Sequence, residues 1–166
     1  MSEKSSAPGP RFFSEPVLLR ALDHLVECDE RTLHDQIALT EIPAPPFGEE
    51  ARGALMAKLL AEAGLDPVTD DEGNVAATLA GTSDGPPLIV SAHLDTVFPS
   101  GTDVSVRVDG DTLHGPGITD DGRGLAVLAA VARCLREVGI LPVHPILFVA
   151  TVGEEGLGDL RGVKHL

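Results

Sequence analysis

Apolar positions recur at helical spacing over roughly 15–27 and 30–41. They do so again after Glu49-Glu50, where Leu55, Leu59, Leu60 and Ala63 share one face. These stretches predict three helices. Ile42-Pro43-Ala44-Pro45-Pro46 ends the second and Gly64 stops the third. The period then changes. Residues 74–80 and 87–92 read as strands separated by the turn-forming GTSDG, and 105–109 and 111–114 alternate around Gly110 as a hairpin. A helix is predicted from about 121 to 138, with Leu125, Leu128, Ala132 and Leu135 on one face. A second buried-type strand follows at 146–152, and GDLRGVKHL opens another helical pattern at the C-terminus. Strands that alternate with helices and are apolar throughout predict an α/β fold, a three-layer α/β/α sandwich with a mostly parallel central sheet. Residues 1–12, polar and rich in Pro and Gly, read as a loose tail, leaving 13–166 as one domain.

Composition narrows the function. The chain has 166 residues, 43% hydrophobic, with a mean hydropathy of +0.13, which is globular rather than disordered. Five Phe and no Trp or Tyr leave the core to Leu, Val, Ile and Ala, and provide no stacking platform for single-stranded nucleic acid. A formal net charge of −14 repels phosphate backbones and anionic membranes, so neither nucleic acid nor membrane is an expected partner. Most of the carboxylates serve solubility; a minority could cluster around cations. Cys28 and Cys134 lack metal or redox spacing, and Cys134 reads as a small core residue. With no apolar export segment or membrane span, a reducing, cytoplasmic setting fits.

Three acidic groups stand at strand or loop ends, where open α/β sheets bind ligands. The apolar run 87–92 stops on His93-Leu94-Asp95, and residues i and i+2 of an extended segment share a face. A carboxylate beside an imidazole can orient it as a metal ligand, although a satisfied histidine at a strand end is the plainer alternative. Asp120-Asp121 follow GPGIT and precede the long helix. A phosphate loop is disfavoured there because anion would meet anion, and helix capping accounts for one Asp but not two. Glu154-Glu155 follow the strand at 146–152, where adjacent like charges are costly unless a cation or proton neutralises them; a solvated turn is the alternative. Together, one imidazole and several carboxylates suit zinc-like ions, and a carboxylate that is not a ligand could act as general base toward a metal-activated water.

SAHLDTVFP (91–99), GPGITDDGRG (115–124) and ATVGEEG (150–156), with the approach segment EIPAPPFGEE (41–50), resemble the M20 aminoacylase-1-like metallopeptidases. These are co-catalytic di-zinc hydrolases of peptide or acyl-amino-acid bonds. The resemblance implies that His93 ligates one metal, Asp120 bridges two and Glu155 ligates the other. It further implies that Asp95 orients His93, that Glu154 is general base and proton donor, and that a cis peptide joins Asp120 to Asp121. The implied cofactor is a pair of zinc ions, with cobalt or manganese as substitutes, and the implied substrate is a small peptide. N-acyl amino acid deacylation and a non-catalytic metal-binding fragment are the alternatives. Members of the family continue further, with a second carboxylate ligand, a late His ligand and a lid or dimerisation domain. The sequence is therefore expected to be the N-terminal portion of the catalytic domain, inactive alone and able to form a homodimer only when complete. His165 is not expected to replace the late ligand.

Overall fold

In a computed structural model that describes residues 15–166, the predicted elements fall within a residue or two of their expected positions. The tail expected over 1–12 lies outside the described residues. Helix α1 (Pro16–Glu27) starts with proline at its first turn, where the ring suits helical φ and the missing N–H has no partner to lose. Helices α2 (Asp29–Thr40) and α3 (Glu50–Glu62) follow, the latter ending just before Gly64 at φ +78°. The longest helix, α4 (Gly122–Val138), is capped by Asp121 and closed by left-handed Gly139. A last short helix, α5, spans Arg161–His165.

The strands are β1 (Val68–Thr69), β2 (Val75–Leu79), β3 (Leu88–His93), β4 (Arg107–Asp109), β5 (Thr112–His114) and β6 (Ile146–Thr151). Four form one sheet in the order β1-β2-β6-β3, while β4 and β5 make the separate hairpin. Strand β3 runs parallel to β6, pairing Leu88 with Ile146 through to His93 with Thr151. Strands β1 and β2 join antiparallel, as do β2 and β6, so the sheet is mixed. The parallel pair follows from the crossover through α4, as a βαβ connection requires.

Helices α3 and α4 pack on the sheet, with α1 and α2 against α4. Ala126, Ala129 and Ala132 leave little bulk on α4, and with Leu125 and Leu128 they share one buried cluster with the strands' Ala77, Ala92, Phe148 and Ala150. Removing such apolar surface from water is the main force holding these layers together. The described residues form the expected α/β fold, with helices packed on a mixed sheet. They also show that β3 is not the buried strand its composition implies: Leu88 is 60% and Ile89 52% exposed. Among the described residues only β6 borders it, which leaves β3 at the edge of the sheet. Central β6, by contrast, is buried along nearly its whole length. Cys134 is a buried core residue, as expected, and its thiol contacts the Ala21 carbonyl.

Leu128→Ala should cost about 2–5 kcal/mol in urea unfolding, the usual range for emptying a core leucine site. Leu128→Asp should abolish the cooperative transition altogether, because the charge would have no partner. A cooperatively melting Asp variant would mean that this α4 face does not hold the core.

Candidate metal centre

Parallel pairing brings the ends of β3 and β6 to the same edge. The ladder continues one residue further, Leu94 N–H donating to the Thr151 carbonyl at 2.7 Å. The chain leaving β3 through Asp95 therefore runs beside the turn leaving β6, which carries Glu154 and Glu155. Among the described residues the N–H groups of that turn find no backbone acceptor, and buried side chains hold them. Val152 N–H donates to Asn74 Oδ1 (3.1 Å) and Gly153 N–H to Glu49 Oε1 (3.2 Å). Glu154 and Glu155 N–H donate to the two Asp95 carboxylate oxygens at 2.9 and 2.8 Å. Asn74 and Asp95 are fully buried and Glu49 nearly so, so these bonds form away from competing water.

Asp95 thus does more than the expected orientation of His93. His93 Nδ1 lies 3.0 Å from the Asp95 backbone carbonyl and 3.7 Å from its carboxylate. The carboxylate is engaged chiefly by the Glu154-Glu155 turn. Burial alone would raise its pKa, but contact with His93 and the two N–H groups holds it below the usual carboxylate value.

The aspartate pair divides two tasks. Asp121 Oδ1 accepts Gly124 N–H at 3.0 Å and caps α4, while its Oδ2 accepts His93 N–H at 3.1 Å. This occupied N-terminus leaves no place for a phosphate. Asp120, joined to Asp121 by a cis peptide, turns outward with its side chain 71% exposed. Its Oδ1 lies 2.9 Å from His93 Nε2.

Donor atoms of His93, Glu154 and Glu155 all lie within 4.8 Å of one another. Asp120 joins this group through His93. The fold therefore brings together the expected ligands His93, Asp120 and Glu155 and places Glu154 beside them. Burial would lower the His93 pKa, but Asp95, the charge of Asp121 and the Asp120 contact raise it to about 9. Burial raises that of Glu155, helped by repulsion from Asp120 and Glu154. An imidazole nitrogen among crowded carboxylate oxygens is a donor set that suits zinc and related divalent ions.

The profile of peptidase family M28 matches residues 74–166, more than half of the chain and all of these motifs. The chain belongs to peptidase family M28. Its structural neighbours include peptidases, one of them described as a member of the M20 family. A tripeptidase from Staphylococcus aureus subsp. aureus Mu50 is 30% identical, with a TM-score of 0.68 over 82% of this chain and 39% of the other. The Bacillus subtilis YXEP protein, a dinuclear metal-binding peptidase of the M20 family, shares the fold at 19% identity and a TM-score of 0.57, over 75% of this chain and 35% of its own. A succinyl-diaminopimelate desuccinylase from Methylobacterium sp. (strain 4-46) is 36% identical over 143 residues, 75% of this chain and 35% of the relative. The M28 chain thus spans less than two fifths of the length of these proteins.

Three supporting residues escape a sequence reading of this M28 chain. Glu49 is held by Arg161 Nη2, 3.0 Å from each carboxylate oxygen. Buried Arg52 donates to the Leu94 carbonyl at 2.8 Å and to carbonyls of Thr40 and Ile42. Burial lowers its pKa to about 10, against the pull of Asp95. Asn74 donates to Asp70 Oδ2 (2.8 Å) and to the Gly162 carbonyl (3.0 Å). Only the FGEE run before α3 hinted at any of them, because each acts through a partner distant in sequence.

Asp70 supplies a pH test of this support. It accepts N–H groups of Glu72, Gly73 and Asn74, and these bonds with Asn74 outweigh burial to lower its pKa. The folded value lies below the unfolded one, so its stabilisation is complete above about pH 4 and fades as pH falls through the folded pKa. Asp70→Asn should therefore lose up to about 1 kcal/mol near neutrality, since solvent screens the charge and the amide oxygen still accepts. The gap from the parent should narrow below about pH 4 in urea titrations. A gap constant from pH 7 to pH 2 would contradict this account.

Proposed function

We propose that the full-length protein carrying this chain hydrolyses C–N amide bonds of small peptides at a divalent-metal centre. The observation that carries the reading is the convergence of His93, Glu154 and Glu155 donor atoms at the ends of two parallel strands. His93, Asp120 and Glu155 would hold the metal, zinc being the ion expected. When bound, the metal would supply Lewis acidity toward the amide carbonyl.

The chain's own residues then have distinct tasks. Asp95 and Glu49 hold the backbone of the turn, so the two glutamates stay in place as charge develops. Glu154, exposed on that turn, would take the proton of the attacking water and return it to the leaving nitrogen. The likeness to a desuccinylase supports N-acyl amino acids as the alternative substrate, since the bond broken is the same.

Adjacent carboxylates with different tasks give a direct test in the full-length protein. Glu154→Gln should keep its zinc content and lose about 10²–10⁴-fold in kcat, because an amide cannot accept the proton. Glu155→Gln should instead lose zinc, with partial recovery of activity when zinc is added. Metal analysis and turnover distinguish the two. The reverse pattern would exchange the roles, and unchanged hydrolysis in both variants would end this assignment of the site.

A further inference from the structure

Two hollows of similar size flank the turn that leaves β6, and their walls differ in kind. One, of about 450 Å³, is lined by Glu49, Glu50, Glu72 and Arg161. Its cation is already engaged: Arg161 pairs with Glu49 and Glu72 and stacks 4.7 Å over the Phe47 ring. The other, of about 460 Å³, is walled by Pro45, Pro46, Val97, Phe98 and Leu157, and Glu155 closes one side. Its volume lies within the range of small-molecule sites.

Several features make this second hollow a built feature. Thr96 N–H donates to the Ala44 carbonyl at 2.9 Å, tying the segment with Val97 and Phe98 to the one with Pro45 and Pro46. Prolines restrict both segments further. On the third wall, Gly158 N–H donates to the Glu155 carbonyl at 2.7 Å and closes the turn that presents Leu157. Val97 and Leu157 are 63% and 87% exposed at the rim, so two large apolar side chains face water beside a cluster of charges.

We propose that this hollow is the subsite for an apolar group of the substrate, an aliphatic or aromatic side chain or acyl chain next to the scissile amide. The assignment rests on the hydrolase reading above. Glu155 belongs both to the metal donors and to the hollow's wall, so a group in the hollow lies directly beside the bond at the centre. The lining also selects against charge. The lining itself offers no cationic side chain to an acidic group, and a basic one would find no carboxylate beyond the one proposed to hold metal. An apolar group would cover Val97 and Leu157 and gain from leaving water.

The test uses the full-length, zinc-loaded protein and matched substrates carrying Gly, Leu, Phe, Asp or Lys on either side of the amide, with acetyl and hexanoyl amino acids as the acyl arm. Leu, Phe or hexanoyl should exceed its smallest counterpart by at least about 10-fold in kcat/KM at one of the two positions. The preferred arm identifies side chain or acyl chain as the occupant. Val97→Ser with Leu157→Ser, both exposed and checked by thermal melting, should shrink that preference about 10-fold. Hydrolysis without apolar preference, or a preference indifferent to the two substitutions, would overturn the subsite while leaving the hydrolase reading intact. No hydrolysis of any substrate by zinc-loaded protein would overturn the hydrolase reading and the subsite together.

Discussion

Four consecutive backbone N–H groups, from Val152 to Glu155, point away from the sheet, and each finds a buried side-chain oxygen. An unpaired buried N–H costs about 1–3 kcal/mol. The acceptors are therefore constrained as tightly as any core residue. Asn74 comes from the start of β2, Glu49 from the approach to α3 and Asp95 from the end of β3. One short turn thus ties three separated regions of the chain together. The glutamates it carries inherit the rigidity of that arrangement.

The same bonds govern the charge at the site. A fully buried carboxylate such as Asp95 stays ionised because donors surround it. Its charge then acts on His93 on one side and on buried Arg52 on the other. Arg52 holds the Leu94 carbonyl, so the peptide between His93 and Asp95 is fixed from both the charge and the backbone. Acidic residues with backbone tasks, Asp95, Asp121 and Glu49, are thereby separated from Asp120, Glu154 and Glu155, whose oxygens remain toward solvent. That separation gives an acidic chain a site in which only some carboxylates are available to a cation. The two hollows repeat the division, one charged and internally paired, the other apolar and open.

Periodicity and turn residues located the five α-helices and five of the six strands among the described residues, because helical and extended patterns place apolar residues at different intervals. The short strand at Val68–Thr69, too brief for any pattern, went unseen. The candidate residues of the site could be named from the sequence too, although each alone had a structural alternative: a satisfied histidine, a helix cap or a solvated turn. Residue types by themselves left open the division of labour within each pair, which only the family resemblance assigned. Sequence could not say that Asp121 caps α4 while Asp120 meets His93, because both stand at the same helix start. Nor could it show that the Asp95 carboxylate serves the turn of Glu154 and Glu155 from 59 and 60 positions away.

Local chemistry along the chain therefore determined the elements, the overall class and the candidate donors. Only tertiary structure decided which acids became acceptors for backbone and which stayed free, because that depends on strands β3 and β6 lying parallel and ending together. It also decided the burial of β3, whose apolar composition says nothing about how many neighbours the strand has. Hydrophobic pattern is a property of single segments, whereas satisfaction of a buried N–H depends on segments far apart in the chain meeting at hydrogen-bond distance.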